Sequence, residues 1–150
     1  MGRITEITKK QAIARSTERA AAALPQTAAG ALFTVTGKVI ITDIIGEVTT
    51  VIQTQANNTK LVANPTVGAD VDLCAVLDIS ADAVGSHYNI TGTLANAMVN
   101  VAGGAGVAQA GRVIVKAGTI DLNCAASNTG AIKWTVHWIP IEKDADVVAA

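Results

Sequence analysis

The sequence predicts an all-β protein, an antiparallel β-sandwich or jelly-roll-like body behind a short helical or extended N-terminal arm. The first observation is the segment 132–138, where Ile132, Trp134, Val136 and Trp138 alternate with polar residues. Side chains of an extended chain point alternately to opposite faces, so this segment is a strand with one buried face. The second observation is that about nine such segments follow one another, separated by Gly, Asn or Pro at spacings of roughly 8–12 residues.

The tryptophan strand is the predicted centre of the core. Both tryptophans lie on its apolar face, and burying so large a side chain contributes roughly 2–3 kcal/mol. Two further segments, 70–80 and 119–125, alternate in the same way and supply apolar partners. The predicted core residues are Trp134, Val136, Trp138, Leu73, Leu77, Ile120 and Leu122.

Residues 1–30 are predicted to be an N-terminal arm and hinge. Residues 4–24 are rich in helix formers, so we expect a helix or a segment that can become one, and Pro25 ends it. Its apolar stripe is weak. Such a helix gains little by packing on its own domain, and we expect a partner to order it.

Residues 31–141 form the predicted β-sandwich domain. Gly37 and Gly46 are expected to separate strands 31–36, 38–45 and 47–55, and strand 59–62 follows. Further strands are expected at 70–80, 87–94 and 97–101, and then at 112–116, 119–125 and 132–138. Pro140 ends the last strand, and residues 142–150 form a C-terminal tail that either frays or docks.

The composition favours a surface that is partly covered by other subunits. Half of the 150 residues are apolar, whereas aromatic residues make up 3% and charged residues 15%. A typical domain carries about 25% charged residues. We therefore expect a homo-oligomer, although a monomer with a face rich in Thr, Asn and Ser would have the same composition.

Charge is distributed unevenly along the chain. Residues 1–24 carry a net charge of +3 and the remaining residues −4. A basic arm on a mildly acidic body suits an acidic protein surface or a nucleic acid. Because three net charges are few and no aromatic residues lie among them, nucleic-acid binding is not expected.

No targeting or membrane segment is predicted. Arg15 and Arg19 interrupt the apolar run that a secretory signal needs. No stretch reaches the roughly 18 apolar residues of a membrane helix. We expect synthesis in a host cytoplasm and a soluble chain until assembly.

The residues capable of chemistry are few and scattered. Cys74 and Cys124 lie on predicted strands. The favoured interpretation is two buried apolar thiols, and a disulfide between them is the alternative. His87 and His137 are expected to be surface residues. Asp70 and Asp72 share a strand face and could hold a hard cation, but a solvated acidic edge is favoured. The prediction is a protein without catalytic residues, bound metal or cofactor.

The glycine-rich segment 101–111 does not match a phosphate-binding loop. Gln109 stands where a dinucleotide fingerprint has glycine. The segment that follows is strand-like, whereas a phosphate loop opens a helix. We therefore expect a flexible surface loop.

The chain resembles small virion proteins of tailed bacteriophages, in particular capsid decoration (cement) proteins. The resemblance lies in the Ala-rich arm, the Thr/Val/Ala/Gly-rich β body and its last segment, residues 118–141, which read GTIDLNCAASNTGAIKWTVHWIPI. It implies a β-sandwich or jelly roll that forms trimers at three-fold or quasi-three-fold positions on the capsid exterior. It also implies that the arm contacts the major capsid protein. The residues expected to make this contact are Ile4, Ile7, Lys9, Lys10, Arg15 and Arg19.

Two other functions remain open at this stage. A head-fibre or tail component of a virion has similar composition. A carbohydrate-binding β-sandwich would need exposed aromatic residues, and the chain has four aromatics in all. Under the decoration hypothesis, deletion of residues 1–24 is expected to abolish capsid binding and leave the β body folded.

Overall fold

The computed structural model describes residues 14–150, which form twelve β-strands and no helix. The strands are β1 (Arg15–Ala23), β2 (Ala29–Thr36), β3 (Val39–Thr50), β4 (Asn58–Pro65), β5 (Val71–Asp72), β6 (Leu77–Asp78), β7 (His87–Asn89), β8 (Val99–Val101), β9 (Val113–Val115), β10 (Gly118–Cys124), β11 (Ala131–Pro140) and β12 (Asp146–Ala149).

The strands form two antiparallel sheets that pack face to face. The front sheet has the order β1-β11-β3-β7-β8, and β9 pairs with the other end of β3. The back sheet has the order β12-β2-β10-β4-β5, and β6 pairs with β4. The predicted antiparallel β-sandwich is therefore confirmed.

One apolar core fills the space between the sheets. Six of the seven predicted core residues are at most 2% exposed, and Leu77 is half-buried and packs against this core. Phe33, Leu61 and Tyr88 join it from other strands. The tryptophan strand lies between β1 and β3, as a central strand of a sandwich should.

The prediction of a helix over 4–24 is wrong for Arg15–Ala23, which form β1. This strand pairs with β11 from Arg15 opposite Trp138 to Ala23 opposite Ala131. Ala, Arg and Glu are good helix formers, but such preferences amount to less than about 1 kcal/mol per residue, and pairing with an otherwise open strand edge outweighs them. The other part of the expected arm, residues 1–13, lies outside the described residues. Residues 24–28 connect β1 of the front sheet to β2 of the back sheet.

Gly46 does not separate two strands as predicted, because β3 runs through it without a break. Gly46 is paired with Trp134 on one side and with Tyr88 on the other. The rings of Trp134 and Tyr88 stack with centroids 6.4 Å apart. The glycine thus provides space for an aromatic pair and makes no turn.

Segment 70–80 was expected to be one alternating strand, and it forms the two short strands β5 and β6. Leu73 and Cys74 are consecutive and both buried, so the alternation breaks between them. In β10, the alternation predicted for segment 119–125 places Asp121 on the face opposite Ile120 and Leu122 and hence towards solvent. It is 8% exposed, and its Oδ2 atom accepts a hydrogen bond from the Asn64 side-chain amide at 3.3 Å.

The sandwich is closed along one side. There the edge strands β1 and β12 meet, and the Thr17 hydroxyl donates a hydrogen bond to the Val147 carbonyl at 2.7 Å. The Trp138 indole N–H donates to the same hydroxyl at 3.1 Å. The C-terminal tail therefore docks as β12 beside β2. The opposite side ends in the short strands β5, β6, β8 and β9.

Candidate functional site

The predicted shell-contact residues fall into two groups. Arg15 lies with its guanidinium 5.3 Å from the ring centre of Trp138. The Nε atom of Arg19 is buried and has no hydrogen-bond partner among the described residues. Arg19 lines a small recess of about 30 Å³ that Trp134 also lines. These two arginines thus lie against the tryptophan strand. The other four, Ile4, Ile7, Lys9 and Lys10, lie outside the described residues.

An apolar groove occupies the side opposite β1 and β12. It lies between β5 of the back sheet and β9 of the front sheet and has a volume of about 180 Å³. Val71, Leu94 and Ile114 line it and are 45%, 42% and 63% exposed. Lys116 lies at the same groove. Exposed large apolar side chains gathered in one place are typical of a protein contact surface.

A charged row crosses the outer face of the front sheet. Glu47 lies between two cationic groups, with Lys133 Nζ at 3.8 Å and His87 Nε2 at 3.9 Å from its Oε2 atom. His137 lies directly opposite Asp43 on the neighbouring strand. Both histidines are therefore near-surface residues beside carboxylates, as the polar side of a strand predicts.

A cavity of about 180 Å³ lies beside this row, beneath the glycine-rich segment. The Asn89 side-chain amide donates to the Val107 carbonyl at 2.6 Å, and Gln109 donates to the carbonyls of Gly111 and Ile41. The segment expected to be a flexible surface loop is thus anchored over the sheet. The cavity is lined by Asp43, Ile45, His87, Tyr88, Asn89, Val101, Gly104, Gly106, Val107 and Ala108.

Sequence reasoning did not identify this cavity. Its one charged acceptor, Asp43, follows Thr42 in β3, where the register against β11 shifts between His137 and Trp138. Such a β-bulge changes the direction of the side chains beside it. Two features of the sequence could have indicated the cavity. These are the interrupted alternation at Thr42–Asp43 and the glycine-rich stretch 103–106.

The carboxylates of the acidic segment 70–82 lie apart from the other possible metal ligands of residues 14–150. Lys60 binds Asp72 at 2.7 Å, and Asp70 is exposed. No group of three or more His, Cys, Asp or Glu side chains in that part of the chain could hold a metal ion. The favoured alternative, a solvated acidic edge, fits these positions.

Cys74 and Cys124 are free and buried, as favoured from the sequence, and form no disulfide. Burial is the main cause that raises the pKa of both thiols. Neutral thiols are poor nucleophiles and poor metal ligands, so the two residues serve as small apolar core side chains.

All four aromatic side chains of the protein are buried in the core. None is therefore available as an exposed platform on which a sugar ring could stack. Within residues 14–150, no helix has the length and apolar character needed to span a membrane. Comparisons with protein-family models, curated proteins and solved structures find no match to this chain.

Proposed function

We propose that this protein is a structural component of a tailed-phage virion that binds the assembled capsid shell from outside and stabilises it, without catalysis. It acts as a homo-oligomer, with a trimer favoured, and its partner is the major capsid protein. The observation that carries the proposal is the exposed apolar groove of Val71, Leu94 and Ile114 on a sandwich that is closed along its other side. A surface of this kind suits contacts between protein subunits.

Charge distribution supports a separate shell contact through the N-terminal segment. Residues 14–150 carry eight basic and eleven acidic side chains, whereas Arg3, Lys9 and Lys10 precede them with one acid, Glu6. The chain enters the sandwich at the edge strand β1. A basic segment leaving a sheet edge is placed to meet an acidic surface of the shell.

The mechanism is mass action. A protein that binds the assembled lattice and not its free subunits stabilises the lattice by RT ln(1 + [L]/Kd) at each site. Several segments on one oligomer raise the effective concentration for each further contact. Weak single contacts then add up to a tight attachment.

Cryo-EM of purified particles of the encoding virus tests the location. Copies on the shell lattice, at three-fold or quasi-three-fold positions, support the proposal. Copies confined to the tail or to fibres support the alternative of a head-fibre or tail component. Absence from purified particles overturns both.

The oligomer is tested by sedimentation of the wild-type chain and two variants. Ile114→Glu places a charge in the apolar groove, and Val84→Glu places one at another exposed valine as the matched control. We expect Ile114→Glu to dissociate the oligomer and Val84→Glu to leave it intact. A monomeric wild-type chain would remove the oligomer from the proposal.

A carbohydrate-binding module is the less favoured candidate, because the buried aromatics offer no stacking surface. A glycan array separates the two, since saturable binding of one glycan class would favour the module.

A further inference from the structure

The exposed side chains at β9 form a basic and apolar stripe on the open side of the sandwich. Ile114 is 63% exposed, and the exposed Arg112 and Lys116 flank it at alternate positions of the chain. Alternate residues of an extended chain point to the same side, so the three side chains lie in a row. Lys116 donates to the Val67 carbonyl at 3.1 Å, but neither cation forms an ion pair with a side chain of residues 14–150. Both positive charges are therefore available to a partner.

A second stripe, acidic and apolar, lies on β12 at the diagonally opposite edge of the molecule. β12 is the edge strand of the back sheet on the side that β1 closes, whereas β9 belongs to the front sheet on the open side. Val148 is 48% exposed, and Asp146, two residues earlier, is exposed as well. Segment 142–146 carries three acids and one lysine. Asp144 and Asp146 form no ion pair within the part of the chain that the structure describes.

The two stripes match in spacing and in charge. Asp146 lies two residues from Val148, just as Arg112 and Lys116 each lie two residues from Ile114. When Val148 faces Ile114, Asp146 therefore faces a cation whether the two strands run parallel or antiparallel. Opposite charges favour such a contact, and like charges disfavour it. Because the stripes lie on opposite sides of one molecule, they can meet only between two copies.

The groove beside Ile114 also fits a projecting side chain better than a second groove. It is a concave space of about 180 Å³ between β5 and β9. Two such grooves placed face to face would enclose a void, whose lining would lose packing contacts. Val148 projects from an edge strand and is apolar, so it can fill the groove. The acid of β5 itself is less available, because Lys60 already binds Asp72 at 2.7 Å.

Other exposed valines with an acid nearby suit the groove less well. Val76 and Val84 each have a carboxylate two residues away, at Asp78 and Asp82, but both valines lie outside the strands. The Asp78 carboxylate already accepts two backbone hydrogen bonds, and the Asp82 carboxylate accepts one from the Tyr88 hydroxyl. The stripe on β12 is therefore the better complement of the stripe at β9.

We propose that the open side of one copy binds the closed side of the next copy, with Val148 in the groove beside Ile114 and Asp146 against Arg112 and Lys116. The inference rests on the homo-oligomer of the proposed function and names the two surfaces that build it. A contact between two different surfaces repeats from copy to copy and closes into a ring when the rotation between copies allows it. Three copies joined in this way form the proposed trimer.

Paired cysteines test the contact directly. Ile114→Cys and Val148→Cys are made separately and together in the full chain, oxidised mildly and examined by non-reducing gel electrophoresis. The native Cys74 and Cys124 are free and buried, so they do not compete. We expect a covalent trimer from the double variant and no cross-link from either single variant, because a disulfide needs Cα atoms within about 7 Å. Covalent dimers of Ile114→Cys alone would indicate a two-fold contact through the groove and overturn the proposal.

Charge reversal tests the pairing independently of disulfide geometry. Arg112→Glu with Lys116→Glu, and Asp144→Lys with Asp146→Lys, should each weaken the oligomer about tenfold or more in sedimentation equilibrium. All four substitutions together restore opposite charges and should recover most of the affinity. Asp70→Lys, at an exposed acid beside β5, is the control and should leave the oligomer intact. Thermal midpoints show whether each variant is folded. A folded quadruple variant that stayed dissociated, or dissociation by Asp70→Lys, would overturn the proposal.

Sedimentation of the wild-type chain separates this inference from the proposed function. A wild-type oligomer that gives neither the cross-link between positions 114 and 148 nor the recovery by charge reversal overturns this contact and leaves the homo-oligomer standing. A monomeric wild-type chain overturns the homo-oligomer and this contact with it.

Discussion

The ring of Trp134 lies directly over the backbone of Gly46 on the neighbouring strand. A Cβ atom at Gly46 would be 2.8 Å from the Cη2 and Cζ3 atoms of that ring. The ring extends across the glycine towards Tyr88, and the two aromatic planes meet at 24°. One missing side chain in β3 therefore allows aromatic residues from β11 and β7 to stack across the strand between them.

Gly46→Ala should destabilise the protein by about 1–3 kcal/mol, because the added methyl group must displace a packed ring. Gly103→Ala is the control, since a Cβ atom there meets nothing within 4 Å. Urea unfolding followed by tryptophan fluorescence measures both. If Gly46→Ala were as stable as Gly103→Ala, the ring would not be held as described.

The sequence was sufficient to predict the antiparallel sandwich and most of the core, though not the strand order, because alternation follows directly from strand geometry. Trp134, Val136 and Trp138 are buried, as their positions predict. The errors arose where tertiary contacts outweigh local preference. Arg15–Ala23 pair as a strand despite their helix propensity, and Gly46 accommodates a ring where a turn was expected.

The cavity could not be predicted because it depends on residues far apart in the chain. Asp43 and Val107 meet only after β3, β7 and the glycine-rich segment are assembled. A β-bulge also changes the side to which Asp43 points, and its position depends on the register against β11. Neither the bulge nor the register can be derived from a local pattern.

Asn57→Ala should cost about 1–3 kcal/mol, because it leaves the partly buried Ala126 N–H without its hydrogen-bond acceptor. The Asn57 side chain accepts from the Ala126 N–H at 3.1 Å and donates to the Ala126 carbonyl at 3.2 Å. It is fully buried, whereas the adjacent Asn58 is exposed. Asn58→Ala is therefore the matched control. Chemical denaturation should separate the two variants, and equal midpoints would contradict the role assigned to Asn57.

Asp78 should make stability depend on pH in the acid range. The backbone N–H groups of Asn57 and Ser80 donate to its Oδ1 atom, at 2.8 and 3.0 Å, and hold its pKa below the ordinary value of 3.8. A lowered folded-state pKa means that this stabilisation is complete above the unfolded-state value and is lost as pH falls through the folded-state pKa.

Asp78→Ala should therefore reduce stability by about 0.5–1.5 kcal/mol near neutral pH. Because Asp78 is exposed, solvent screening keeps the charge-dependent part small. The difference in stability between Asp78→Ala and the wild type should shrink once the pH is well below the ordinary carboxyl pKa of 3.8. Asp70→Ala, at another exposed acid, is the control and should show little deficit at any pH. Urea midpoints across the acid range check this, and a deficit in Asp78→Ala that did not change with pH would show that the ionised carboxylate is not responsible.

Deletion of residues 1–24 should destabilise the sandwich, whereas the expectation from the sequence was that the β body would remain folded. The deletion removes β1 and exposes one edge of the tryptophan strand β11. It also leaves the Trp138 indole N–H without its Thr17 acceptor, which alone costs about 1–3 kcal/mol. The comparison is with deletion of residues 1–13, which keeps β1, so the difference in thermal midpoint reports the loss of that strand.

A point variant separates the hydrogen bonds of Thr17 from the rest of β1. Thr17→Val keeps the shape of the side chain and removes the hydroxyl that accepts from Trp138 and donates to Val147. Thr34→Val, at an exposed position of β2, is the control. We expect Thr17→Val to account for part of the loss caused by the longer deletion, because the backbone pairing of β1 with β11 remains. If the two deletions unfolded at the same temperature and Thr17→Val matched Thr34→Val, then β1 would not contribute to the folded body. Residues 15–23 would then belong functionally to the N-terminal arm, together with Arg15 and Arg19, which are predicted to contact the shell.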